Sequence, residues 1–253
     1  MTATGGVTIV TGASSGLGAG MAGELARRGY PLALFARRTD RLGALSVELT
    51  AQTGTDVRAD ALDVTDHDAI FARFRDAAEQ RGGLARVVVN AGIGKGARIG
   101  SGRFAANRDT LATNVIGALA QMEAAMEIFY QQGAGHLVLM SSVTSGRGLP
   151  GPMNAYAAGK AAVTRLADGI RLDVAQKGVP ITVTSLHPGY IESEMQDRTG
   201  RRHRLLVDAD TGARALVDAI ERGRNTECVP RWPWTGYRQL VNHAPRQLLT
   251  RIL

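Results

Sequence analysis

Short runs of β-branched and apolar residues alternate with longer helical stretches from residue 7 to residue 230, and this alternation limits the fold more than any other feature. Val7-Thr8-Ile9-Val10 reads as the first strand, with a helix over about Gly18 to Arg28 behind it. Pro31 to Ala36 reads as a second strand, Asp40 to Thr53 as a helix, and Asp56 to Leu62 as a third strand. Thr65-Asp66 opens a helix to about Gln80, followed by a fourth strand at Arg86 to Val89. One long helix is expected over Asn107 to Gln132, then a strand at Gly135 to Met140, a helix to about Gln176, and strands at Pro180 to Leu186 and Glu227 to Pro230. Runs such as Val87-Val88-Val89 carry no polar alternation, as expected of parallel strands covered by helices on both faces. The pattern predicts an α/β fold: a three-layer, doubly wound Rossmann arrangement around a seven-stranded parallel sheet. It occupies one domain over residues 1–253, since no linker, repeat or low-complexity segment interrupts it.

At the first strand-to-helix junction lies Thr11-Gly12-Ala13-Ser14-Ser15-Gly16-Leu17-Gly18. Glycines there allow a tight turn and bring backbone close to a pyrophosphate facing a helix N-terminus. The spacing is G-x3-G-x-G rather than G-x-G-x-x-G. Further along, Tyr156 precedes Lys160 by four residues, which on a helix places phenol and ammonium one turn apart on one face. Lysine is scarce, with only Lys95, Lys160 and Lys177 among thirty basic residues. A cation beside a phenol stabilises the phenolate, so the pair suits proton transfer. The bland alternative is a surface tyrosine and a solvated lysine on an Ala-rich helix.

Composition excludes several classes. No apolar run reaches the length of a membrane span, and no secretory signal precedes the first strand. Cys228 is the single cysteine, which fits a reducing, cytoplasmic setting. The five histidines lack metal-ligand spacing, so no metal is expected. Net charge is +7, but the arginines are scattered and aromatic content is 5%, so nucleic acid is not an expected partner.

The glycine spacing after Thr11 resembles that of the short-chain dehydrogenase/reductase family, and the resemblance extends to about residue 193. It implies that Gly12, Ser14, Ser15, Gly16, Leu17 and Gly18 bind the cofactor phosphates. Asp63-Val64 looks like the family's adenine-contacting pair, and Asn90-Ala91-Gly92 like the motif shaping the cofactor floor. Asn114 matches an asparagine in a distorted helix turn that holds a proton-relay water. Ser142 matches the substrate-orienting serine and Tyr156-x3-Lys160 the catalytic pair. His187-Pro188-Gly189-Tyr190-Ile191-Glu192-Ser193 matches the segment on the nicotinamide side, with Pro188, Gly189, Ile191 and Ser193 in contact. Two departures stand out. Thirteen residues separate Ser142 from Tyr156 where twelve are usual, and Ser193 replaces a frequent threonine while keeping the hydroxyl.

The second strand ends in Ala36-Arg37-Arg38 rather than an acidic residue. Arginine forks suit phosphate oxygens, so NADP(H) is the expected cofactor, with NAD(H) as a possible substitute. Arg37 matches the family's phosphate-binding position, with Ser14 nearby and Arg38 able to stack on adenine. The resemblance implies hydride transfer between nicotinamide and a small-molecule or acyl carbonyl. Tyr156 would be the general acid/base, and Lys160 would grip the cofactor ribose and, with the nicotinamide charge, lower the Tyr156 pKa. A catalytically silent NADP(H)-binding protein and a longer-branch epimerase or dehydratase are the competing readings.

A substrate loop is expected over about 190–208, including the run Arg198 to Arg204. That run reads as a solvated loop, with an acidic or carrier-linked substrate as the alternative. The tail over about 231–253 is amphipathic and holds both tryptophans, Trp232 and Trp234. Packing within the domain or an oligomer is its first reading; peripheral membrane contact and an apolar substrate entrance are the others. Small residues on the Tyr156 helix (Ala157, Ala158, Ala161, Ala162) permit close helix packing, and the resemblance implies a homodimer or homotetramer.

Overall fold

The structure is a computed structural model and describes residues 5–94, 96–194, 205–245 and 247. The Arg198 to Arg204 run and Leu248, Leu249, Ile252 and Leu253 of the tail lie outside the described residues. Seven strands, β1 (Val7–Thr11), β2 (Leu32–Ala36), β3 (Val57–Ala61), β4 (Leu84–Val89), β5 (Gly135–Met140), β6 (Ile181–Pro188) and β7 (Thr226–Val229), form one sheet in the order β3-β2-β1-β4-β5-β6-β7. Every pairing is parallel. The doubly wound Rossmann arrangement expected from the sequence is therefore present.

Successive strand residues point to opposite faces, which explains the uninterrupted apolar runs. Ile9, Val87, Val89, Leu137 and Leu139 enter one core with Ile70, Phe74, Met122, Phe129 and Val163. Those partners come from α3 (His67–Glu79), α5 (Gly117–Gln132) and α6 (Met153–Lys177). Val10, Val88, Val138 and Met140 enter the other core with Met21, Leu25, Leu42, Leu216 and Ile220. Here the partners come from α1 (Gly16–Arg27), α2 (Thr39–Thr53) and α7 (Ala209–Arg222). Arg28, just past α1, reaches Glu24, Asp218 and Glu221 at 2.7, 2.7 and 2.6 Å, tying α1 to α7.

Three differences from the expected elements have clear causes. The stretch expected as one helix over 107–132 is α4 (Phe104–Leu111), a π-helical turn at Ala112–Ile116, and α5. The widened turn lets Asn114 face inward, and a single extra residue per turn is invisible to a periodicity count. The sequence reading assigns no helix before β7, yet α7 lies there. Its signals are local: Asp208 accepts a 2.8 Å bond from Thr211 N, and Ala213, Leu216, Val217 and Ile220 are buried at helical spacing. The third concerns the tail, whose described part forms α8 (Arg231–His243).

α8 packs within the protein, in line with the first of the tail readings. Trp234 is fully buried, edge-on to Tyr190 and Tyr237 at 5.0 and 5.3 Å. A Cβ on Gly189 would fall 2.1 Å from the Trp234 ring, so only glycine lets the indole sit there. Arg147 donates to the carbonyl of Ala244 at 2.7 Å, fastening the end of α8 to the segment after Ser142. Trp232 and Leu240 remain exposed on the outer face. No described helix is long and apolar enough to cross a membrane.

Candidate active site

The strand order reverses between β1 and β4, and a cleft of about 560 Å3 opens at the carboxyl ends of the strands there. All the candidate residues named from the sequence line this cleft except Asn114. Gly12 has φ +65° and Gly16 has φ +55°, a region that L side chains disfavour. Gly18 needs its missing side chain for another reason: a Cβ would stand 2.3 Å from the Gly12 carbonyl oxygen and 2.7 Å from Asn90 Nδ2. The α1 N-cap, Ser15, makes no side-chain cap bond, and the first turn holds no acidic residue. The positive end of α1 therefore lies uncapped by Ser15 where Gly16, Leu17 and Gly18 line the cleft, an arrangement that suits a phosphate.

The turn is braced from β4. Thr11 Oγ1 accepts bonds from the backbone N–H of Asn90 and of Ala91, both at 3.1 Å. Asn90 Nδ2 donates to the Thr11 carbonyl at 2.8 Å. Asn90 thus locks two strand ends together beside its place on the cleft floor. Thr11 does as much for this geometry, although in the sequence it reads only as the residue before the glycines.

At the end of β2 the two arginines divide. Arg37 lies 3.7 Å from Asp63, whose carboxyl the neighbouring Thr65 hydrogen bonds and the Arg37 charge hold down against the opposing effect of burial. Arg38 is the arginine that reaches the serines: Nε donates to Ser14 at 3.2 Å, and Nη2 donates to Ser15. Arg38 also pairs with Glu194 at 2.9 Å, and Arg41 pairs with the other oxygen of that carboxylate. Neither Arg41 nor Glu194 stands out in the sequence.

At the opposite end, α6 carries Tyr156 and Lys160 into the cleft, with Lys160 Nζ 5.8 Å from the phenol ring centre. Lys160 is buried and donates to the Met140 carbonyl at 2.6 Å; burial pushes its pKa down to about 8. Tyr156 is half-buried, and burial pushes its pKa up while a hydrogen bond with Ser142 opposes the rise. In the protein alone the Lys160 ammonium donates to a carbonyl and burial of the phenol dominates; the lowering expected of Lys160 acting with the nicotinamide charge belongs to the cofactor-bound site. Asn114, fully inside the π turn, grips Ile93 twice: Oδ1 accepts from its N–H and Nδ2 donates to its carbonyl, both at 2.8 Å. Gly92 packs closely against it: a Cβ there would come within 3.1 Å of Asn114 Oδ1, which would have to shift by a few tenths of an ångström.

Ser142 is seated by a buried histidine that the sequence offers only as part of a motif. His187 Nδ1 lies 3.0 Å from the Ser142 carbonyl and 3.1 Å from Ser145 Oγ, and Nε2 lies 3.0 Å from Thr226 Oγ1. A carbonyl only accepts, so Nδ1 carries the proton and Nε2 accepts from Thr226. Burial, helped by the Arg238 charge, pushes His187 down to about 4. His136 on β5, 2.9 Å from Thr184, is pushed to about 3 by burial and the Arg86 charge.

Both folded values lie below the unfolded one, so the unfolded chain takes up protons first as pH falls. Stability from these two groups is intact above about pH 6.5 and is lost as pH drops through the folded values. The loss reaches up to about 1.4 kcal/mol per pH unit for each histidine. The urea midpoint should fall steadily between about pH 6.5 and 4.5, above the range where carboxylates titrate. A flat midpoint across that range would contradict the buried neutral assignment.

Comparison with known proteins places this geometry. Residues 6–204 match the sequence profile described as short chain dehydrogenase. An uncharacterised oxidoreductase of Mycobacterium tuberculosis is 49% identical over 245 residues, covering 96% of this chain and 95% of its own. A short-chain dehydrogenase from Sphingobium yanoikuyae, solved with NADPH, superposes with a TM-score of 0.81 at 27% identity, covering 98% of this chain and 96% of its own. In fold alone, a short-chain dehydrogenase/reductase from Burkholderia phymatum, solved with NAD, superposes at 0.85 with 22% identity over 95% of this chain and 94% of its own. With a matching profile over most of its length and a relative of nearly half identity, the chain belongs to the short-chain dehydrogenase/reductase family of oxidoreductases.

Proposed function

We propose that the protein is an NADP(H)-preferring oxidoreductase that interconverts a carbonyl and a secondary alcohol. The observation that carries this reading is one cleft with three parts in register. An uncapped helix N-terminus stands behind the glycine turn, arginines mark the β2 edge, and Ser142, Tyr156 and Lys160 line the far end together. The glycine turn and α1 would hold the cofactor phosphates, Asp63 and Val64 the adenine side, and Asn90, Ala91 and Gly92 the floor. Pro188, Gly189, Ile191 and Ser193 would flank the nicotinamide. Bound there, the nicotinamide supplies or accepts the hydride.

The chain's own groups handle the proton and the orientation. Ser142 fixes the substrate oxygen, and Tyr156 gives it a proton in reduction or removes one in oxidation. A phenol pushed up by burial stays protonated at neutral pH, the form needed to donate. Lys160 keeps a positive charge within one helical turn of the phenol, and Asn114 holds the π turn that backs it. Among the described residues, the substrate end is lined by Ile93, Val143, Met153 and Tyr190, which supports a neutral, largely apolar carbonyl compound. Exposed Phe104, Leu111, Ile116 and Leu172 on α4, the π turn and α6 support self-association as a homodimer or homotetramer.

The cofactor preference is tested by turnover of a neutral ketone with NADPH and with NADH, in wild type and in Arg38→Ala. Wild type should favour NADPH in kcat/KM by about tenfold or more, and Arg38→Ala should erase most of that ratio. Equal ratios in the two proteins would remove Arg38 from cofactor choice.

A further inference from the structure

The Arg38–Glu194–Arg41 cluster sits where the β2 arginines meet the segment that follows Pro188 and Gly189. The two guanidiniums hold opposite oxygens of one carboxylate, and they hold Glu194 below the usual carboxylate range. The three residues come from three places: the end of β2, the first turn of α2, and the stretch 156 and 153 residues further along the chain. Arg38 at the same time contacts Ser14 and Ser15 on the glycine turn. The carboxylate thus fills the donor forks at the cleft edge. Arg37, paired with Asp63, does not touch it.

A carboxylate and the edge of a phosphate present the same kind of acceptor pair to a guanidinium. From this we infer that Glu194 is an internal competitor of the cofactor's 2′-phosphate, and so a residue that sets how strongly the protein separates NADP(H) from NAD(H). The inference rests on the NADP(H) reading above and extends the 2′-phosphate site to Arg41. A 2′-phosphate brings up to two negative charges and takes the forks that Glu194 holds, so it must displace the carboxylate or repel it at close range. A 2′-hydroxyl brings no charge and leaves both ion pairs in place. Glu194 therefore weakens the phosphorylated dinucleotide selectively. Two exposed pairs contribute modestly, so the penalty is about fivefold in affinity.

The experiment is calorimetric titration with 2′,5′-ADP and with ADP, which carry the discriminating end of the cofactor and no nicotinamide. The proteins are wild type, Glu194→Gln, Arg41→Gln, Arg38→Ala and the Glu194→Gln/Arg41→Gln double variant. Glu194 is exposed, so its isosteric variant should fold, and a thermal melt verifies this. Glu194→Gln should bind 2′,5′-ADP about fivefold more tightly and ADP within about twofold of wild type. Arg41→Gln should weaken 2′,5′-ADP alone, and the gain from Glu194→Gln should shrink in the double variant. Unchanged or weaker 2′,5′-ADP binding by Glu194→Gln, or an equal gain for both ligands, would overturn the proposal. If wild type binds 2′,5′-ADP no more tightly than ADP, the NADP(H) reading fails and this inference fails with it; if it does bind more tightly, but Arg38→Ala and Arg41→Gln leave that affinity unchanged, this inference alone fails. If they lower that affinity while Glu194→Gln changes nothing, only the present inference fails.

Discussion

Tyr156→Phe should lose about a thousandfold in kcat while its affinity for NADPH stays within about threefold of wild type. The substitution removes one oxygen and keeps the ring, so packing on α6 and the 5.8 Å approach of Lys160 survive. What disappears is the proton that would pass to the substrate oxygen, with the hydroxyl that lines the cleft beside Ser142. A group used only in the transition state lowers kcat without changing ground-state binding. The check is steady-state turnover of a neutral ketone with a parallel fluorescence titration of NADPH. Residual activity above about a tenth of wild type would remove Tyr156 from the proton-transfer role.

Two glycines of one helix should respond in opposite directions to the same substitution. Both lie in α1, where alanine is the better helix former by about 1 kcal/mol. At Gly23 the new Cβ would meet Arg27 Nη1 and Leu49 Cδ2 at 3.7 Å, an ordinary contact. Gly23→Ala should therefore stabilise by about 0.5–1 kcal/mol and leave cofactor binding alone. At Gly18 the Cβ would be driven to 2.3 Å from the Gly12 carbonyl, which cannot retreat easily. Thr11, just before it, is held by Asn90, and Gly12 itself sits against Ala91. Gly18→Ala should cost about 1–3 kcal/mol in stability and at least about a hundredfold in NADPH affinity, because the turn itself is forced open. Urea unfolding and NADPH titration of the two variants decide the matter; similar behaviour would show that close approach at Gly18 has no special role.

The parts of the fold legible in the sequence are those written in local pattern. Apolar runs gave β1, β2, β4 and β5 because their residues are largely buried on both faces, whereas β3 at the sheet edge is mostly exposed; the glycine turn marked the first strand-to-helix junction. Ser142, Tyr156 and Lys160 share one cleft with the cofactor candidates because strand ends at a topological switch point gather there, a consequence of sheet order that motif positions already imply. Illegible parts depend on contacts between distant residues. Nothing near Glu194 announces that its carboxylate meets Arg38 and Arg41, and nothing near Lys160 says that its ammonium turns to the Met140 carbonyl. The burial that raises Tyr156 and lowers Lys160 is likewise a property of the packed molecule. The π turn at Ala112–Ile116 leaves no mark in the periodicity, because the helical pattern continues on both sides; only the resemblance at Asn114 implied a distorted turn there.

Hydride transfer to a carbonyl is the centre of this account, and isotope transfer reads it directly. NADPH carrying deuterium at the transferable C4 position is incubated with the protein and a panel of neutral ketones and aldehydes. Product alcohols are then analysed by mass spectrometry. The account predicts an alcohol with one deuterium on the carbinol carbon, formed by wild type and lost in Tyr156→Phe. Tight NADPH binding with no labelled alcohol from any carbonyl would contradict it and leave a dinucleotide-binding protein without the chemistry.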